Sequence, residues 1–243
     1  MTSAADMSPR FWARAVGVLY LLMAAIGSIP SLVGHVRISN DAAATAAAIL
    51  AHPSQVYTGF AASLLVVVCY LPVPVLFYKL FKPVNHTLSL TAAFAGLTGC
   101  AVQAFACLFR IAPLIVLTSG QSSSGISQQQ VQALAYLLLK LYTPAYNISL
   151  IFFAFAFVLI GCLVFKSTFL PRFLGVLAVI AGVGWMAFLW PPLADRLWPR
   201  VILPLDVGEL ALVLWLLIAG VNVERWHEQA GRSSPRESAG AKL

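Results

Sequence analysis

Six apolar stretches, each long enough to cross a bilayer, make up most of this chain, and charged residues are nearly absent from them. A membrane-spanning helix needs about 20 predominantly apolar residues. By that ruler the stretches are Ala13–Val33, Val56–Phe77, Leu88–Leu117, Val131–Phe165, Phe173–Leu193 and Ile202–Val221. The same feature excludes a soluble domain. Charged residues are 9% of the 243 and hydrophobic residues 60%, against about 25% and about 45–50% in water-soluble domains. The expectation is an all-α fold, a polytopic integral membrane bundle of six transmembrane helices with membrane lipids as its surroundings.

The basic residues set the orientation. With the N-terminus inside, Arg10, Arg14, Lys79, Lys82, Lys166, Arg172, Arg225, Arg232, Arg236 and Lys242 fall on the cytoplasmic side, and Arg37, Arg196 and Arg200 outside. That is 10 against 3, and lysine and arginine favour cytoplasmic connections. Both termini are therefore expected in the cytoplasm. The net charge of +7 is a topology signal facing anionic lipid, and no nucleic-acid partner follows from it.

The chain then divides into a cytoplasmic segment (1–12), a six-span membrane domain (13–222) and a disordered cytoplasmic tail (223–243). Asn40-Asp41 ahead of an alanine-rich run reads as the cap of a short outer helix near 41–52. A competing reading makes Arg10, Arg14 and the following apolar run a cleaved signal peptide, which leaves five spans; the run continues to Val33, longer than a usual signal core. The third and fourth stretches exceed the bilayer thickness, which predicts tilt, a kink or an extra turn. Pro30, Pro72, Pro74, Pro113, Pro144 and Pro204 lie in or at the ends of helices, where each removes a backbone donor and tends to kink its helix.

Four ionisable residues remain inside the spans: Arg110, Lys140, Asp206 and Glu209. Each is costly in hydrocarbon unless paired or hydrated, so each marks a candidate site. At 1.5 Å per residue, all four lie roughly 6 to 14 Å in from the outer ends of their spans. Gln103 and Arg110 are seven apart, on one side of the third helix. Tyr136, Lys140, Thr143 and Asn147 form one stripe on the fourth, and Asp206 and Glu209 share a side of the sixth. The charge grouping Arg110, Lys140, Asp206 and Glu209, with Gln103, Thr143 and Asn147, has two readings. It is a structural ion-pair network, or it lines an outward-facing pocket for a small polar or anionic ligand. His35, His52 and His86 show no metal spacing, and Cys69, Cys100, Cys107 and Cys162 form no Cys-x-x-Cys pair. No catalytic motif, metal set or cofactor site is read.

Several segments in order resemble a known family. They are Ala13-Arg-Ala-Val-Gly-Val-Leu-Tyr-Leu-Leu22, the alanine-rich helix after Asp41, the turn Lys82-Pro-Val-Asn85, Phe169-Leu-Pro-Arg-Phe-Leu-Gly175 and Gly208-Glu-Leu-Ala-Leu-Val-Leu-Trp-Leu-Leu217. Together they are similar to domain-of-unknown-function family 4386, over about residues 10 to 222. The resemblance implies a six-span protein of the cytoplasmic (inner) membrane of a bacterium, and it carries over no catalytic residue.

Binding or transport of a small polar or anionic solute in an outward-facing pocket is the leading functional expectation. The alternatives are a membrane-embedded enzyme acting on a lipid or isoprenoid, with Glu209 or Asp206 as acid/base, and a non-catalytic sensor or partner subunit. A cysteine placed at Asn147, on a background without the four native cysteines, tests the pocket. It is expected to react with an impermeant thiol reagent added from outside; an inert position favours the dry ion-pair network.

Overall fold

The computed structural model describes residues 8–33, 38–120 and 125–240. His35 and Arg37, ahead of α2, and Lys242 of the tail lie outside the described residues. Regular structure among the described residues is helical: α1 (Pro9–Val33), α2 (Ala42–Ala51), α3 (Pro53–Tyr70), α4 (Pro72–Phe81), α5 (His86–Gly120), α6 (Gln128–Lys166), α7 (Arg172–Trp185), a 3-10 turn (Met186–Leu189), α8 (Pro191–Leu197), α9 (Ile202–Leu205), α10 (Val207–Ile218) and α11 (Val223–Gly240). Five helical stretches are long and apolar enough to cross a membrane, with α3 and α4 counted together, and α10 with the start of α11 is a sixth candidate bent by 103°. The protein is a multi-pass helical membrane bundle.

Helices dominate because hydrocarbon supplies no hydrogen-bond partner, so each spanning segment must satisfy its own backbone. Proline placement decides where the ladder breaks. Pro72 sits at the start of α4, where its missing N–H has no intrahelical role. By contrast, α5 and α6 run unbroken past Pro113 and Pro144. At 39 residues α6 is roughly 58 Å long, which extends well beyond a hydrocarbon core of about 30 Å. The expected last span is divided: α9 covers only Ile202–Leu205, and α10 restarts after Asp206.

The chain forms two compact units. The first comprises Met1–Leu21, Tyr70–Gly99 and Leu150–Leu243, and the second Leu22–Cys69 and Cys100–Ser149. In the first, a core of Val16, Leu80, Leu163, Leu174, Leu212 and Leu216 is almost fully buried. Stacked rings Phe77, Phe81 and Phe169, with centroids 6.0 Å apart at each step, tie α4 to the α6–α7 turn. Helices α6 and α7 meet through glycine: a Cβ on Gly175 would lie 2.6 Å from the Phe165 nitrogen and 2.7 Å from the Gly161 carbonyl oxygen. In the second unit, Asp41 caps α2 by accepting from the Ala43 and Ala44 amides at 3.1 and 3.4 Å. Ala46, Ile49, Leu114, Leu117, Val131 and Ala135 form its core.

Residues 223–240 are helical, as α11. Composition does not register the contacts that hold the start of α11. Asn222 accepts from the Arg225 amide at 3.1 Å, and the Trp226 indole N–H donates to the Leu80 carbonyl at 2.9 Å. The Gln229 side chain accepts from the Thr168 amide and hydroxyl at 3.0 Å each. Gly220, at φ +67°, ends α10 in the left-handed region that glycine alone enters freely.

The glycine contact gives a stability prediction. Gly175→Ala places its methyl inside contact distance of α6 backbone, and overpacking of this kind costs about 1–3 kcal/mol. Its thermal midpoint in detergent is expected to fall clearly. Gly231→Ala, where a Cβ meets nothing within 4 Å, is the control expected to leave the midpoint unchanged.

Candidate functional site

Arg110 sits on α5 in the second unit, ten residues before the helix ends at Gly120. Its setting is built from uncharged groups. Nη1 donates to the Ser63 hydroxyl at 2.7 Å and to the Tyr142 hydroxyl at 3.4 Å. The guanidinium carbon also lies 5.0 Å from the centroid of the Tyr142 ring, a cation–π distance. Ser63 itself donates to the Gly59 carbonyl at 2.8 Å. A hydroxyl carries one proton, so that bond turns the lone pairs of Ser63 toward the arginine. Gly59 provides room as well, since a Cβ there would lie 3.3 Å from Nη2. Gly59 and Ser63, four apart on α3, therefore act as one face that accepts the guanidinium.

No carboxylate within this unit is available to neutralise Arg110. The sole acidic residue among its segments is Asp41, and that side chain caps α2. Among the described residues, Arg110 uses Nη1 alone in hydrogen bonds to protein. A guanidinium has five N–H donors in a planar fork, so this side chain keeps donors for a further acceptor.

The other expected residues of this unit are spread around α6 and α5. Lys140 is exposed, with its ammonium 5.2 Å from the Tyr136 ring centroid one turn away. Lys140 and Tyr142 are two residues apart and so point to opposite sides of α6, which separates Lys140 from the face that Arg110 meets. Thr143 is exposed, while Asn147 and Gln103 are partly covered.

Asp206 and Glu209 belong to the first unit. Glu209 lies in the first turn of α10, where the amide dipoles favour negative charge. The Tyr20 hydroxyl of α1 faces its carboxylate. Tyr20 and Tyr70 meet hydroxyl to hydroxyl at 3.4 Å, and Tyr70 packs edge-on against Phe153 at 4.9 Å. Asp206 Oδ1 and Trp185 Nε1 are both buried and neither has a hydrogen-bond partner among the described residues, although the two side chains lie near each other. The described surroundings of the two carboxylates are thus phenols, an indole and each other, since Asp206 lies within electrostatic reach of Glu209. Among the described residues no three His, Cys, Asp or Glu side chains gather as metal ligands, and all four cysteines are free thiols.

The four ionisable residues singled out in the sequence therefore divide between the two units by sign. Arg110 and Lys140 are in the second, Asp206 and Glu209 in the first. Ser63, Tyr142 and Tyr20, which contact these charges, were absent from the sequence-derived grouping. The spacing Gly59-x-x-x-Ser63 was the available signal for the first of them, as it places a small residue and a hydroxyl on one face.

A family model described as a domain of unknown function, DUF4386, matches residues 15–220. No curated protein and no solved structure matches the chain. The match covers every helix discussed above except α11 and includes Ser63, Arg110, Tyr142, Asp206 and Glu209, so the chain belongs to the DUF4386 family.

Proposed function

We propose that this protein binds, and moves, a small anionic solute through Arg110, in the cytoplasmic membrane of a bacterium with both termini inside. The excess of basic residues in one set of connections, 10 against 3, supports that orientation. It places Arg110 in the outer half of the bilayer, within reach of extracytoplasmic solutes.

One observation carries the reading. Arg110 is held by a serine hydroxyl and a tyrosine, and its own unit has no carboxylate other than the helix cap Asp41. A structural ion pair would place a carboxylate on the guanidinium; neutral partners orient it and leave its charge uncancelled. A planar fork with unused donors matches a carboxylate or phosphate oxygen pair. Lys140 contributes a second positive charge to the same unit and acts through its field on approaching anions.

Purified protein in detergent tests this with two probes, succinate and inorganic phosphate, followed by the shift in thermal midpoint as each is titrated. The wild-type midpoint is expected to rise with at least one of them. Hydrogen bonds to charged groups contribute about 1.5–3 kcal/mol, so Arg110→Gln is expected to weaken that binding about 10- to 100-fold. Arg110→Lys, which keeps the charge and loses the fork, should fall between. Equal binding by Arg110→Gln and wild type, or no response to either anion, overturns the proposal.

A further inference from the structure

A different feature lies in the first unit, where α10 turns into α11. Gly220 ends α10, and the chain leaves at 103°. Beside this bend is an open cleft of about 650 Å³ that no step of the reading above uses. Arg10, from the first turn of α1, reaches it with its stem against Gly220, whose absent Cβ would meet Arg10 Cγ at 3.1 Å. Arg225, from the first turn of α11, lines it too, with Nη1 at 3.5 Å from the Thr168 carbonyl.

We propose that this cleft binds the phosphate headgroup of an anionic phospholipid, with Arg10 and Arg225 as its cationic contacts. Charge supports it. Two guanidinium groups arrive from separate helices, both side chains are exposed, and neither forms an ion pair among the described residues. Glu224 is the single acidic residue in the lining. The rest of the lining supports a lipid over a free anion. Trp215 and Ala219, which are exposed, and the half-buried Pro171 provide an apolar border beside the arginines, which suits the glycerol and upper acyl carbons of a phospholipid and offers nothing to inorganic phosphate.

Position points the same way. The cleft sits where apolar helices give way to polar chain: α1 begins at Pro9, α6 ends at Lys166, α7 begins at Arg172 and α10 ends at Ile218. Membrane interfaces are where basic side chains meet anionic headgroups and where tryptophan is enriched. Trp12 and Trp226 pack edge to face at 5.8 Å in this unit, and Trp226 is bonded to the Leu80 carbonyl.

The full-length protein, purified in a neutral detergent, is mixed with equal phosphatidylglycerol and phosphatidylcholine, and the lipid retained is read by native mass spectrometry. Wild type is expected to retain phosphatidylglycerol preferentially. Arg10→Gln and Arg225→Gln should each reduce that preference about five-fold, with Arg225→Lys keeping most of it. Both arginines are exposed, so thermal midpoints in phosphatidylcholine serve as folding controls expected to match wild type. Three results overturn the proposal: no preference in wild type, an unchanged preference in both glutamine variants, or displacement of the lipid by millimolar inorganic phosphate, which would assign the cleft to the free anion. The wild-type arm decides the matter even where a variant fails to fold.

Discussion

Hydrocarbon accepts and donates no hydrogen bonds, and the described hydroxyls of these spans are arranged around that fact. The hydroxyls show it plainly. Thr91, Thr98 and Thr118 each donate back to a carbonyl one turn earlier at 2.9 Å, and Ser63 does so to Gly59 at 2.8 Å. A residue bonded in this way is neutral toward its helix and still offers oxygen lone pairs sideways. Ser63 uses that remaining capacity on Arg110. A permanent charge is thus held in an apolar segment by partners that satisfy a donor without cancelling the charge.

That distinction separates binding from architecture. A buried ion pair fixes helix pairing and stays closed, and breaking one leaves a costly uncompensated charge. A guanidinium resting on a hydroxyl and an aromatic face keeps donors unused, which is the feature the proposed anion site rests on. The carboxylates of the other unit also lack a basic partner among the described residues: Glu209 meets a tyrosine and lies within electrostatic reach of Asp206, and Asp206 lies near an indole.

Much of the architecture was legible in the chain. Runs of twenty or more apolar residues announce spanning helices because the hydrophobic thickness sets their length, and the ordered short motifs pointed to the DUF4386 family. The four intramembrane charges also stood out, since the scale of their cost in lipid makes them exceptional. Their partners were harder to see. Ser63 and Tyr142 are common residues in such segments, and only the approach of α3, α5 and α6 within one unit identifies them. Lys140 and Tyr142 illustrate the limit: they are near neighbours in sequence but occupy opposite sides of α6. The division of the last span at Asp206 is a matter of local backbone geometry, which a hydropathy ruler averages away. The helical tail depends on Asn222, Trp226 and Gln229 finding specific acceptors and donors elsewhere in the unit, and composition carries no record of such contacts.

The central claim is that Arg110 faces an aqueous route open to anions from outside. Its most direct test is Ser63→Cys on a background without the native cysteines, in right-side-out vesicles exposed to an impermeant thiol reagent. The account predicts that this thiol, beside the guanidinium, is labelled from outside and that succinate or phosphate slows the labelling. A thiol that stays unlabelled, or is labelled at a rate indifferent to both anions, contradicts it.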